Sequence, residues 1–217
     1  LRQRFFQQIN RVRMENLRSR ISPHFTFNVL GREINQFNGS EEVKHNLMEL
    51  VKYLRRSLEL TEKLSVSLQD ELDFVRTYIE LERGRVGENF VATITVEDGL
   101  DATRIMIPSM IVQIPVENAI KHGLAGKDGK KELMVYVSRE TNGIRITVTD
   151  NGRGYLPQVV SATRGTGTGL KVLYQTIQLL NTKNKSDKIR FNITNRSDGQ
   201  TGTEVSVYIP FRFSYDL

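Results

Sequence analysis

Apolar and polar positions repeat with two different periods along the chain, and the change of period falls near residue 86. Before it, apolar side chains recur every three or four residues. Ile9, Val12, Leu17 and Ile21 predict helix through residues 1–36, where Gly31 is the one glycine. Asn38-Gly39-Ser40 supplies a turn and a helix cap. Val43, Leu47, Leu50, Val51, Leu54 and Leu58 then place a wide apolar stripe on a second helix, which needs a surface to pack against. Ser67 and Asp70 have the spacing of a capping box, and Leu72, Val75 and Ile79 carry a third helix to about Val86.

After Gly87 the pattern turns to short runs rich in β-branched residues and partly alternating. Phe90–Val96, Leu133–Ser138, Ile144–Thr149, Ile189–Asn195 and Thr203–Ile209 are predicted strands. Two helical runs, near Ser109–Leu124 and Leu170–Leu180, lie among them, and Asn142-Gly143 marks a hairpin. Strands interleaved with a few helices predict a mixed sheet covered on one face. The fold class is therefore α+β, with a helical part over residues 1–86 and an α/β part over residues 87–217.

Composition narrows the chemistry. With 217 residues, 26% charged and 38% hydrophobic, the chain has room for one large or two modest folded domains. The absence of cysteine excludes disulfides, thiolate metal sites and cysteine nucleophiles. His24, His45 and His122 are too scattered to suggest a histidine metal cluster. No stretch approaches the roughly 18 apolar residues of a membrane span, and the first residues are too polar for a signal peptide. The sequence begins at Leu1, inside a helical pattern and without Met, and so reads as part of a longer protein with sequence missing upstream. The net charge of +6 is concentrated at one end, since residues 1–37 hold seven arginines against Glu15 and Glu33. Such a basic stretch fits the cytoplasmic flank of a membrane helix, a solvated helix face, or a footprint for nucleic acid.

Three stretches of the α/β part carry candidate chemistry. In Val116–Gly123, Asn118, Lys121 and His122 fall at helix positions i, i+3 and i+4 and share a face. Asp150-Asn151-Gly152-Arg153-Gly154 puts a carboxylate at the end of a strand, followed by glycines that permit a tight turn and close approach of a ligand to the backbone. Gly165-Thr166-Gly167-Thr168-Gly169-Leu170 is a glycine-rich loop leading into a helix, whose exposed N–H groups suit an anion. It has neither a Walker nor a Rossmann pattern. Alone, the first also fits a solvated helix face and the second a simple hairpin turn, and the third is a weak signal.

Together, in this order and spacing, the three resemble the N, G1 and G2 boxes of the ATP-binding domain shared by histidine kinases, gyrase-type ATPases and Hsp90. Arg20-Ile21-Ser22-Pro23-His24-Phe25-Thr26-Phe27-Asn28 resembles the phosphoacceptor box of LytS/YehU-type sensor histidine kinases, and Val66–Arg85 and Ile107–Leu124 are also similar to that family. The resemblance implies a helical dimerisation and phosphoacceptor region at 1–86, followed by a two-layer α/β sandwich at 87–217 that binds ATP and Mg²⁺. It makes His24 the nucleophile for the γ-phosphoryl group, with Pro23 kinking the helix beside it. Asn118 becomes the Mg²⁺ ligand, Lys121 and His122 reach phosphates, and Asp150 accepts a hydrogen bond from the adenine amino group. Gly152, Gly154, Gly165, Gly167, Gly169 and Leu170 line the pocket and its lid.

The implied partners are a second copy of the chain and the receiver domain of a response regulator, without direct contact to nucleic acid. The implied location is the cytoplasmic portion of a bacterial inner-membrane protein, tethered through the missing upstream segment. Two departures stand out. Phe25 follows His24 where many other histidine kinases have an acidic residue, so no adjacent general base is assigned, and Ile114-Pro115 shifts the usual helix-starting proline by one place. The rival expectations are an ATP-binding scaffold that controls a partner through its nucleotide state, and a nucleic-acid-associated ATPase.

Overall fold

The computed structural model describes residues 41–155, 168–184 and 186–215. The expected helix over 1–36, the Asn38-Gly39-Ser40 turn and the box around His24 lie outside the described residues, as do Gly165 and Gly167.

Helix α1, Glu41–Glu62, forms where the stripe predicts it; of that stripe Leu50 is buried and Leu54 partly buried while Leu47 is exposed, and Tyr53 and Leu60 are buried beside it. It packs on α2, Leu68–Val86, where the Tyr53 and Phe74 rings stack at 4.8 Å. Arg56 of α1 pairs with Asp70 of α2. The capping signal is borne out, since Ser67 accepts from the Asp70 N–H at 3.0 Å and donates its hydroxyl to the Asp70 carboxylate at 2.8 Å. Leu68, Leu72, Val75 and Ile79 bury one face of α2.

The main sheet has five strands in the order β2-β4-β5-β7-β6: β2 Phe90–Val96, β4 Lys131–Glu140, β5 Gly143–Asp150, β6 Arg190–Asn195 and β7 Thr203–Pro210. The β2 and β4 strands run parallel, and the other pairs are antiparallel. Register aligns the inward side chains into rows. Ile94, Val135, Val148, Val205 and Ile193 form one, and Val96, Val137, Ile146, Val207 and Phe191 the next. These rows share one apolar core with α2, with the segment 107–124 and with α4, Thr168–Asn181.

Two local expectations are corrected, and one small sheet is added to them. A two-stranded antiparallel sheet joins β1, Ser65–Ser67, to β3, Met106–Pro108, which are too short to show alternation in sequence. The single helix expected over Ser109–Leu124 is instead a turn at 109–112, helix α3 over Gln113–Asn118, and one π-helical turn over Ala119–Gly123. Met110, at φ 70°, cannot belong to a right-handed helix, whereas Pro115 falls in the first turn of α3, where its missing N–H costs little. The β4–β5 hairpin turns through Thr141-Asn142, because Glu140 already pairs with Gly143. Gly143 serves close packing instead, since a side-chain carbon there would lie 2.3 Å from the Ile209 carbonyl oxygen. Among the described residues, no helix is long and apolar enough to cross a membrane.

Candidate functional site

Asp150 ends β5 in the same inward row as Ala92 and Leu133, so its carboxyl group faces the helix-covered side of the sheet. It is 3% exposed. The Gly152 N–H donates to it at 2.7 Å, and Thr203, at the start of the neighbouring β7, adds hydrogen bonds from backbone and side chain. Burial pushes the Asp150 pKa up; the bonds from Gly152 and Thr203, with the nearby Arg196 charge, pull the other way. The result is a buried acceptor fixed by donors on its protein side.

Two glycines bring the Asp150 turn against the helix of Asn118. A side-chain carbon on Gly123, at the end of the π-helical turn, would lie 2.8 Å from Asp150 Oδ1. The Arg153 N–H donates to the Gly123 carbonyl at 3.3 Å, which locks the two segments together. Single π-helical turns are frequent at functional sites, because the wider turn redirects the residues around it.

Asn118 donates its amide nitrogen to the Ile114 carbonyl at 2.9 Å, which fixes the orientation of the amide and turns its oxygen into the remaining polar end. An amide oxygen suits a hard cation already held by phosphate and water. Among the described residues, no group of three or more His, Asp or Glu side chains is placed to hold a metal. Gly169, at the start of α4, completes this side; a side-chain carbon there would lie 3.3 Å from Ile114 and 4.0 Å from the Asn118 amide nitrogen. Leu170 packs partly buried against the core.

The other expected members are more dispersed. Lys121 donates to Glu117 at 3.0 Å, its neighbour one turn back, and Glu117 also accepts from Gln113 at 3.0 Å. His122 is half-buried; burial, helped by the Lys121 and Arg153 charges, lowers its pKa and favours the neutral ring. Gly154 sits at φ 85° against Asn195, whose side-chain oxygen accepts the Tyr155 N–H at 2.6 Å. Sequence reasoning passed over Thr203. Its signal is the β5–β7 register, which pairs the neighbouring Thr149 and Glu204 and becomes visible only once the strands are paired.

A helix-covered mixed sheet, with a buried carboxylate meeting an amide-bearing helix through glycines, defines the class as a two-layer α/β sandwich. Residues 103–212 match the histidine kinase-, DNA gyrase B- and HSP90-like ATPase family, and residues 12–90 match the histidine kinase family. The chain belongs to this ATPase family, with the histidine kinase family match in front of it. Membership implies ATP as the ligand of the site.

The chain is 28% identical over 205 residues to the sensor histidine kinase YpdA of Escherichia coli K12, covering 94% of this chain and 35% of that protein. It is 32% identical over 197 residues to the sensor histidine kinase/phosphatase LytS of Staphylococcus aureus MRSA252, covering 87% of this chain and 33% of that protein. It thus spans about a third of the length of these relatives. The fold is similar to the histidine kinase domain of the blue-light activated histidine kinase EL346 of Erythrobacter litoralis, with a TM-score of 0.50 and 18% identity over 85% of this chain and 94% of that one.

Proposed function

We propose that the chain is the kinase core of a two-component sensor that phosphorylates its own His24 from ATP and passes the phosphoryl group to an aspartate of a response regulator. The observation that carries the reading is the joining of the Asn118 helix to the buried Asp150 through Gly123 and Gly152, in a chain that also bears the box around His24. Residues 1–86 then serve dimerisation and phosphoacceptance, and residues 87–217 hold the nucleotide.

In this reading Asp150 accepts the adenine amino group, while Gly152, Gly154, Gly165, Gly167, Gly169 and Leu170 shape the pocket and its lid. Lys121 exchanges Glu117 for a phosphate oxygen, and the neutral His122 donates beside it. A Mg²⁺ ion held through Asn118 would supply charge neutralisation at the phosphates. A ring nitrogen of His24 forms the N–P bond as the bond from the γ-phosphorus to the ADP oxygen breaks, and ADP leaves with that electron pair. Transfer to the regulator then breaks N–P and forms O–P. The basic segment 1–37 is suited to follow a membrane segment on its cytoplasmic side, placing this homodimeric core on the inner face of a bacterial membrane.

Incubation with γ-labelled ATP tests the reading. The label should be acid-labile and base-stable, and should vanish in His24→Gln while ATP affinity stays within about threefold of the parent. Acid-stable label, or label that survives His24→Gln, would contradict it.

A further inference from the structure

The turn that launches the Asn118 helix is held from the helical side of the molecule. Ser109 donates its N–H to the Leu64 carbonyl at 3.1 Å and its hydroxyl to the Leu60 carbonyl, at the end of α1. Glu71, on α2, has no exposed surface. One of its carboxylate oxygens accepts the Met110 N–H at 2.8 Å, and the other accepts those of Val112 at 3.0 Å and Gln113 at 3.2 Å. Met110 is the one non-glycine residue with positive φ among the described residues, and Val112, at the N-cap of α3, makes no side-chain cap.

A buried carboxylate is tolerated where donors surround it, and a helix start offers unpaired N–H groups and the positive end of its dipole. Glu71 therefore does from α2 what a capping side chain does locally elsewhere, and it also braces the strained turn at Met110. The consequence reaches Asn118 directly. Helix α3 has only 6 residues, and the carbonyl that orients the Asn118 amide belongs to Ile114, the neighbour of the clamped Gln113. Gly169 rests on that same Ile114. A shift of the first turn would swing the Asn118 oxygen and unseat the start of α4 together.

We propose that Glu71 is a positioning residue of the nucleotide site, holding the first turn of α3 so that Asn118 presents its oxygen to the Mg²⁺ of Mg²⁺-ATP. This rests on the reading of Asn118 as the ligand of that metal. Glu71→Gln keeps the shape but leaves one acceptor oxygen and turns an NH₂ group toward backbone donors.

The test is calorimetric titration of residues 1–217 with ATP, in Mg²⁺ and in EDTA, for the parent, Glu71→Gln, Asn118→Ala and the double variant. Misplacing a ligand through its support typically costs about ten- to 100-fold in metal affinity, so Glu71→Gln should weaken Mg²⁺-ATP binding by about that factor. Its affinity in EDTA should change by less than about twofold, and in the Asn118→Ala background the substitution should cost less than about twofold even with Mg²⁺. Equal loss with and without Mg²⁺, or a full further loss in the Asn118→Ala background, would make Glu71 a general structural support and overturn the proposal while leaving the reading of Asn118 intact. Unchanged Mg²⁺-ATP binding in Asn118→Ala would instead overturn the reading of Asn118 itself, and the route through it. If Glu71→Gln shows no cooperative melt, Glu71→Asp, which keeps the charge but is one methylene shorter, carries the same comparison with the same selective loss expected.

Discussion

A side-chain carbon on Gly152 would lie 2.1 Å from the carbonyl oxygen of Gly123. No Cβ fits there without backbone movement, so these two residues set how near the Asp150 turn comes to the end of the Asn118 helix. The two halves of the site are spaced by the absence of side chains.

Gly152→Ala should therefore force the segments apart. Overpacking of this kind costs about 1–3 kcal/mol, and about 2–4 °C of melting temperature per kcal/mol for a chain of this size. The same movement withdraws Asp150, so ATP binding should fall with stability. Thermal melts and calorimetry check both, and an alanine variant with parental affinity would mean that Asp150 does not need this contact.

Asp150 itself should show a conflict between stability and binding. Its folded pKa is raised by burial above the ordinary carboxylate value, so the fold disfavours the charged form, and the cost is fully present at neutral pH. As pH falls through the raised folded value, the parent should gain stability relative to Asp150→Asn, which cannot titrate. Denaturant melts of the two proteins at pH 7 and at lower pH read that difference. Asp150→Ala should lose a hydrogen bond to a charged acceptor, worth about 1.5–3 kcal/mol, or roughly ten- to 150-fold in ATP affinity.

Much of this arrangement is legible in the sequence because it is local. The Ser67 cap, the alternating strands and a carboxylate closing β5 depend on neighbours a few residues away, and the structure bears them out. What escapes depends on distant partners. Glu71 stands between Asp70 and Leu72 and looks like one more acidic residue in a first helical turn; its burial appears only when the 109–113 segment folds over it. Thr203 gains its place from strand pairing. The break in the expected 109–124 helix arises at Met110, whose side chain gives no sign of a left-handed backbone. Lys121 was expected toward a phosphate, yet its i−4 carboxylate is the nearest anion in the protein alone.

His122 gives a pH signature of the opposite sign. Burial with the Lys121 and Arg153 charges lowers its folded pKa below the ordinary histidine value. Stability from the neutral ring is present above that ordinary value, about 6.5, and is lost as pH falls through it toward the lower folded value. The parent should lose more stability than His122→Gln between pH 7.5 and the acid side of that window, as read by paired denaturant melts. Parallel losses in both proteins would show that the fold does not lower the His122 pKa.

The last expectation concerns the surface of α1. Leu50 is 1% exposed, but Leu47 and Met48 are 38% and 62% exposed, although the same helix supplies all three. Burying an apolar side chain is worth about 1.5–3 kcal/mol, so two such residues on one helix can contribute several kcal/mol to a partner surface. A second copy of α1 offers the matching apolar face, as the dimeric reading requires. Light scattering of residues 1–217 at tens of micromolar should therefore report a dimer, and Leu47→Glu with Met48→Glu should weaken it by about a hundredfold or more. ATP affinity should stay parental in that variant, because neither residue is among the partners that hold Asn118 or Asp150. A parent that scatters as a monomer, or a double variant that dimerises as well as the parent, would assign the exposed face of α1 another role.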